Sequence, residues 1–120
     1  MILVVDDEPT ITELLTDILE YQGHPVVVAH DAETALDMLP LYRPTLILVD
    51  LMMPSVDGLS LAVTLRHSPS LMGVPLIAMS ASDSALALAD RVGDFDAMIS
   101  KPFETDELIQ TVERFIPVEA

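Results

Sequence analysis

Short apolar runs that end near a polar residue recur along this 120-residue chain, and they constrain its fold more than any other feature. Four runs have this form: residues 2–5 before Asp6 and Asp7, residues 45–49 before Asp50, residues 75–79 before Ser80, and residues 97–99 shortly before Lys101. Continuous apolar runs of this length are typical of strands buried on both faces, as in parallel sheets. Because parallel strands all point the same way, we expect these polar side chains to meet at one edge of the sheet.

Segments with helical spacing separate these runs, and a further apolar run lies at residues 26–29. The alternation of strand and helix from end to end predicts an α/β protein whose parallel sheet is covered on both faces. Right-handed crossovers then favour a doubly wound five-stranded sheet with strand order 2-1-3-4-5. We interpret residues 1–120 as one domain without a linker or an internal repeat.

The first and fourth helices allow the most specific predictions. In the first helix, apolar residues recur on one face at the helical period: Ile11, Leu14, Leu15, Ile18 and Leu19. Thr10 and Glu13 have the spacing of a capping box, which predicts that Thr10 caps this helix. In the fourth helix, Leu86 and Leu88 lie roughly 200° apart around the helix axis, so one of them should be exposed.

Three carboxylates at one edge of a sheet would repel one another unless a cation lies among them. Magnesium prefers oxygen ligands, so Asp6, Asp7 and Asp50 predict a Mg²⁺ site. Lys101 and Ser80 add an ammonium and a hydroxyl, which suit the oxygens of a phosphoryl group. Because aspartate can accept a phosphoryl group covalently, the residues predict a site that transfers phosphate to a carboxylate or holds it there.

Composition excludes several classes of protein. The chain has no cysteine, which excludes disulfides and thiolate metal sites, and its formal net charge of −15 disfavours direct binding to nucleic acid or to anionic membranes. No apolar stretch approaches the roughly 20 residues of a membrane span, so we expect a soluble, cytoplasmic protein. His24, His30 and His67 lack the spacing of a metal cluster, and we interpret them as surface or capping residues.

Four segments match a known family in the expected order. They are residues 4–9 (VVDDEP), residues 48–54 (LVDLMMP) with Asp57-Gly58 after them, Ser80-Ala81, and residues 101–103 (KPF). Over essentially its whole length the chain resembles the receiver domains of two-component response regulators. The resemblance implies a flavodoxin-like fold and a phosphoprotein that takes its phosphoryl group from a phosphohistidine.

The resemblance also implies a role for each matching residue at the acidic edge. Asp50 would be the phosphoryl acceptor, and Lys101 would pair with a phosphoryl oxygen. Asp7 would bind Mg²⁺ directly and Asp6 mainly through metal-bound water, while Asp50 and the backbone carbonyl of Met52 would complete the protein ligands. The Lys101-Pro102 bond is typically cis in this family, which X-Pro bonds allow at little cost.

The predicted switch involves the fourth and fifth strands. By resemblance, the Ser80 hydroxyl would close over the phosphate, and the backbone amide of Ala81 would be a second donor. Where the family usually has Tyr or Phe, this chain has Met98, whose flexible thioether chain gives a less discrete two-state signal than a ring. The fourth helix, fifth strand and fifth helix are the usual output surface, and we hypothesise a partner or homodimer contact there.

The implied partners are a sensor histidine kinase or histidine phosphotransfer protein, and a downstream effector protein or fused effector domain. The chain would catalyse only its own phosphorylation and dephosphorylation, so we do not expect an enzyme with substrate turnover. Three alternatives stay open: a phosphorylation-independent interaction module of the same fold, a Mg²⁺-dependent aspartyl-phosphate phosphatase, and a flavodoxin-like cofactor binder. Adjacent Asp6 and Asp7 disfavour the phosphatase, and the lack of a glycine- and hydroxyl-rich loop after the first strand disfavours the cofactor binder.

Overall fold

Five parallel strands form the centre of the molecule in the computed structural model, which describes residues 1–53 and 58–116. They are β1 (Ile2–Val5), β2 (Val26–Ala29), β3 (Leu46–Asp50), β4 (Leu76–Ser80) and β5 (Ala97–Ser100). Their order in the sheet is β2-β1-β3-β4-β5, and every neighbouring pair is parallel. The predicted doubly wound α/β fold and its strand order are confirmed. The predicted turn at Asp57 and the last four residues of the predicted domain lie outside the described residues.

Helices cover both faces of the sheet. They are α1 (Pro9–Tyr21), α2 (Ala32–Met38), α3 (Gly58–Arg66), α4 (Asp83–Val92) and α5 (Thr105–Glu113), with a short 3-10 helix at Pro69–Leu71. Side chains of α1 and α5 pack in the core on one face, and side chains of α2, α3 and α4 pack in the core on the other. None of the helices in the described ranges is long and apolar enough to cross a bilayer.

Alternation along the strands explains why the apolar runs are continuous. Leu3 and Val5 of β1 pack on the α2–α3–α4 face, whereas Ile2 and Val4 pack on the α1–α5 face. All four are buried, so each contributes the roughly 1.5–3 kcal/mol expected for burying a large aliphatic side chain. A strand with an exposed face would have alternated apolar and polar residues instead.

The predicted capping box of α1 was wrong. The helix begins at Pro9, and its N-cap residue Glu8 makes no side-chain capping bond, so Thr10 lies inside the first turn and forms no capping box. Proline suits the first helical position because its φ angle is already helical and its missing N–H would have no partner there. Leu14, predicted on the buried stripe, is 46% exposed, while Thr12 is buried.

The prediction for the fourth helix is confirmed. Ser82 caps the start of α4 by accepting a hydrogen bond from the Ala85 N–H at 3.2 Å, and Gly93 ends the helix in the left-handed conformation that glycine favours. Leu86 packs against the core, whereas Leu88 is 48% exposed. The α4 surface therefore carries an apolar residue without a partner among the described parts of the chain.

The histidines differ in their surroundings. Of the two interpretations of His24, surface or capping, the first was wrong, because its ring is buried and its Nε2 has no hydrogen-bond partner among the described residues. Its N–H caps the end of α1 by donating to the Leu19 carbonyl at 2.9 Å. His67 is exposed, and its Nδ1 lies 2.7 Å from the Val63 carbonyl near the end of α3. His30 is also exposed and directly follows β2.

Candidate functional site

The carboxyl ends of four strands bring the predicted polar residues to one edge of the sheet. Asp6 directly follows β1, Asp50 and Ser80 are the last residues of β3 and β4, and Lys101 directly follows β5. β1 and β3 are neighbours with Val5 opposite Val49, which puts Asp6 beside Asp50. The crevice forms here because the chain turns to opposite sides of the sheet after these two strands.

Asp6 is completely buried, and each of its polar atoms has a partner. Its N–H donates to the Ala29 carbonyl at 3.1 Å, and its own carbonyl lies 3.1 Å from Nδ1 of His30. Its Oδ1 accepts from the Glu8 N–H at 3.0 Å, and its Oδ2 accepts from Nζ of Lys101 at 2.7 Å. A buried carboxylate is stable only when it is bonded in this way.

Lys101 places one ammonium group among three carboxylates. Its Nζ lies 2.7 Å from Asp6, 3.7 Å from Asp50 Oδ1 and 3.7 Å from Glu8 Oε1. Burial alone would lower the pKa of Lys101, but the hydrogen bond and charge of Asp6, with the charges of Asp50 and Glu8, outweigh burial and raise the pKa above its usual value. Lys101 is therefore a permanent cation at neutral pH.

Asp50 is almost fully buried, and its surroundings disfavour its ionised form. Burial raises its pKa, the charges of Asp6 and Asp7 raise it further, and the Met52 N–H and Lys101 only partly oppose them. The Met52 N–H donates to Asp50 Oδ1 at 3.1 Å. No described group forms a hydrogen bond with Asp50 Oδ2, so this oxygen is the free one.

Among the residues that the structure describes, four carboxylates, not three, gather at this edge. Asp6, Asp7, Glu8 and Asp50 each offer an oxygen, and these oxygens all lie within 4.8 Å of one another. Glu8 is the residue that sequence reasoning missed, because an acid at a helix start is ordinarily explained by the helix dipole alone. Among the described residues, Asp7 has no hydrogen-bond or salt-bridge partner, so its carboxylate is available to a ligand.

A shallow depression of about 280 Å³ lies over Asp50. Its lining consists of Glu8, Asp50, Met52, Ala81, Ser82 and Lys101. Met52 is 64% exposed at the rim. Ser80 does not line the depression, because its side chain is buried and its Oγ accepts a hydrogen bond from the Ser82 N–H at 3.0 Å.

Met98 occupies the predicted switch position on β5. It lies opposite Ala78 of β4, packs against the core on the α2–α3–α4 face and remains partly exposed. Because alternate residues share a face, Met98 and Ser80 lie on the same side of the sheet. The Lys101-Pro102 bond is cis, as the resemblance implied.

The repulsion at Asp50 predicts a pH-dependent stability. Since the folded protein raises this pKa above the ordinary 3.8, ionised Asp50 destabilises the fold, and stability falls as the pH rises through the window from 3.8 up to the raised value. Asp50→Asn should therefore unfold at a higher temperature than the wild type at pH 7 in chelator, by roughly 4 °C per kcal/mol relieved. The difference should shrink toward pH 4.

Thermal unfolding of both proteins across this pH range measures the effect. Asp17→Asn, which neutralises an exposed acid on α1, is the matched control and should leave the pH dependence unchanged. A lower melting temperature for Asp50→Asn at pH 7 would contradict the repulsion argued for this site.

Comparison with known proteins gives the family. Residues 2–113 match the family model of the response regulator receiver domain. The chain belongs to this family. Response regulator MprA of Mycobacterium tuberculosis is 38% identical over 112 residues, which cover 90% of this chain and 46% of that protein. This receiver domain thus spans about half the length of the curated relatives it matches.

Solved receivers have the same fold as this receiver domain. The receiver domain of NtrX from Brucella abortus superposes with a TM-score of 0.88 at 32% identity, covering 99% of this chain and 100% of that one. The receiver domain of a histidine kinase from Syntrophus aciditrophicus has a TM-score of 0.86 at 32% identity, covering 96% and 88%. Chemotaxis protein CheY4 of Vibrio cholerae has a TM-score of 0.86 at 25% identity, covering 96% and 97%.

Receiver domains generally use Mg²⁺ at an acidic pocket, and the residues of this receiver fit that ion. The four clustered carboxylates supply the hard oxygen ligands that Mg²⁺ prefers. One of them, Asp7, has no hydrogen-bond or salt-bridge partner among the described residues. The general role of this receiver domain in two-component signalling therefore has a chemically suitable site.

Proposed function

We propose that Asp50 accepts a phosphoryl group from the phosphohistidine of a sensor histidine kinase or a histidine phosphotransfer protein, in a Mg²⁺-dependent reaction. The observation that carries this proposal is the position of Asp50 on the floor of a depression, with the Lys101 ammonium 3.7 Å from its Oδ1. A carboxylate and an ammonium that line the same depression can act together on a phosphoryl group: the carboxylate accepts it, and the ammonium neutralises the charge of its oxygens.

Asp50 Oδ2 is the attacking atom, because Oδ1 already accepts the Met52 N–H. The new P–O bond forms at Oδ2 while the P–N bond to the donor imidazole breaks. The departing nitrogen keeps the electron pair and takes a proton from solvent. Transfer therefore requires the donor to lie in line with Oδ2 across the depression.

Asp7, Asp50 and the backbone carbonyl of Met52 would hold Mg²⁺, with Asp6 acting mainly through water. Bound Mg²⁺ supplies neutralisation of charge on the carboxylates and the phosphoryl oxygens. The bonding of Asp6 supports its indirect role, because both of its carboxylate oxygens already accept hydrogen bonds. Asp7 has no such partners among the described residues.

Lys101 would bind a phosphoryl oxygen. Because its pKa is raised, Lys101 is charged at neutral pH. Its ammonium has three N–H donors, and one of them donates to Asp6. Electrostatic groups held in advance near developing charge commonly contribute a factor of about 100 or more to a rate. The backbone amide of Ala81, at the wall of the depression, would be a second donor to the phosphoryl group.

Ser80 would carry the signal away from the phosphoryl group. Its Oγ now accepts the Ser82 N–H, so its own hydroxyl proton is free to be donated. Turning toward a phosphoryl oxygen would remove the acceptor of Ser82, the residue that caps α4. We expect α4 to shift as a result, and Met98, on the same face as Ser80, to fill the space that opens.

The output surface would comprise α4, β5 and α5. Leu88 and Val92 of α4, each 48% exposed, form its apolar part and would contact a downstream effector, a fused effector domain or a second receiver. The acidic charge disfavours nucleic acid as the direct partner. Phosphorylation would take place in the cytoplasm, and the receiver would catalyse only its own phosphorylation and slow hydrolysis.

Phosphorylation by a small phosphodonor tests the proposal directly. Incubation with Mg²⁺ and phosphoramidate should add one phosphate to the wild type and none to Asp50→Asn, as measured by intact mass. Asp17→Asn is the matched control and should be phosphorylated like the wild type. Phosphate on another residue would refute the assignment of Asp50, and an unphosphorylated wild type would favour the phosphorylation-independent interaction module.

A further inference from the structure

His30 is an exposed residue whose ring reaches the acidic edge from the neighbouring strand. Its Nδ1 lies 3.1 Å from the backbone carbonyl of Asp6. A carbonyl oxygen can only accept a hydrogen bond, so Nδ1 carries the proton and donates it. The last backbone bond between the two strands, from the Asp6 N–H to the Ala29 carbonyl, lies directly before this contact. The His30 side chain therefore adds one more hydrogen bond between the ends of β1 and β2, beyond the last backbone hydrogen bond.

The carbonyl that His30 holds belongs to the peptide unit between Asp6 and Asp7. Because a peptide unit is planar, holding its oxygen also fixes the direction of the Asp7 N–H and of the chain entering Asp7. This matters because the Asp7 carboxylate has no hydrogen-bond or salt-bridge partner in the described ranges. The orientation of Asp7 therefore depends on its backbone rather than on contacts of its own side chain.

We propose that His30 is a positioning residue for the metal site, a role that rests on the function proposed above. Its Nδ1–H holds the Asp6-Asp7 peptide in the orientation that presents the Asp7 carboxylate to Mg²⁺. His30 does not itself touch the ion. A fixed ligand binds a metal more tightly than a mobile one, because less conformational freedom is lost on binding.

The location of His30 separates this role from a purely structural one. The residue is exposed at the end of β2, which is an edge strand of the sheet. If its ring is removed, water can bond the Asp6 carbonyl, so the fold should lose little stability. The same replacement would let the Asp6-Asp7 peptide rotate more freely, which would weaken Mg²⁺ binding.

A pair of near-isosteric variants tests the proposal. In His30→Asn the side-chain amide places a donor where Nδ1 was, whereas His30→Leu has similar volume and no donor. We expect His30→Leu to raise the Mg²⁺ dissociation constant about 5-fold, the factor of a hydrogen bond of ordinary net strength, and His30→Asn to stay within about 2-fold of wild type. Isothermal titration calorimetry on unphosphorylated, chelator-treated protein measures this constant.

Two further measurements exclude a general structural effect. The melting temperatures of both variants in EDTA should match that of the wild type. His67→Leu is the matched control, because it removes the other exposed histidine whose Nδ1 contacts a backbone carbonyl, and it should leave Mg²⁺ affinity unchanged. In phosphorylation assays, His30→Leu should need more Mg²⁺ for half-maximal rate and reach the wild-type rate at saturation.

The role of His30 can fail while the Mg²⁺ site stands, and the measurements distinguish these two cases. Wild-type affinity in His30→Leu, or equal weakening in His30→Asn and His30→Leu, would overturn the role of His30 while leaving the Mg²⁺ site intact. A wild type that binds no Mg²⁺ would overturn both proposals.

Discussion

Replacing Lys101 with methionine should lower the free energy of unfolding at pH 7 by about 3 kcal/mol. The replacement leaves the completely buried Asp6 carboxylate without its ammonium partner and removes the cation that opposes the repulsion between Asp50 and the other carboxylates. Because the pKa of Lys101 is raised in the fold, its contribution to stability is fully present below the ordinary 10.5 and is lost only as the pH rises through the higher folded value. At neutral pH the whole effect should be visible.

Urea denaturation of wild type and Lys101→Met measures this loss. The double variant Asp6→Asn with Lys101→Met should recover much of it, because the buried charge that lost its partner has been removed. Lys101→Met should also reduce the phosphorylation rate at least about 100-fold, and the double variant should not restore that rate. Additive stability losses in the double variant would contradict the pairing of Asp6 with Lys101.

Replacing Asp7 with asparagine should weaken Mg²⁺ binding at least about 10-fold. A ligand that binds only the folded state adds about 1.4 kcal/mol of stability at ten times its dissociation constant, so Mg²⁺ should raise the melting temperature of the wild type. At the same concentration, Mg²⁺ should stabilise Asp7→Asn by no more than about 0.4 kcal/mol, so its melting temperature should rise by less than a third as much. In chelator the variant should be at least as stable as the wild type, because one of four crowded charges has been removed.

Glu8→Gln is the informative comparison for Asp7→Asn. Both replacements remove one charge from the same cluster, but the Glu8 side chain is 60% exposed and 3.7 Å from Lys101, so it should contribute less to the ion. Equal losses in the two variants would show that total charge, and not the specific ligand Asp7, determines Mg²⁺ affinity. Thermal unfolding with and without Mg²⁺ distinguishes these possibilities.

The sequence predicted the fold because its strands are buried on both faces and follow one another in a strict alternation with helices. The same feature predicted that Asp6, Asp50 and Lys101 would meet, since residues at the ends of parallel strands share an edge. The capping box of α1 was mispredicted because Thr10 and Glu13 have the right spacing, while the tight connection after β1 places Pro9 at the first helical position and Thr10 inside the first turn.

Interactions that depend on side-chain direction could not be predicted in the same way. An acid at a helix start carries no local signal that it reaches a lysine after β5, so Glu8 was not assigned to the site. No pattern near His24 shows that its ring is buried with no partner for Nε2 in the described part of the chain, and none near His30 shows that its ring bonds the Asp6 carbonyl. Such contacts join residues distant in the chain, and their geometry exists only once the sheet has formed.

The crowding of like charges around Asp50 has a practical consequence for engineering. A library selected only for heat resistance in the absence of divalent ions should enrich neutral residues at positions 7 and 50, because each such replacement relieves repulsion. Under the function proposed above, the most thermostable descendants of this chain would then be unable to bind Mg²⁺ or to accept a phosphoryl group. Directed evolution of this receiver therefore needs a functional readout at every round.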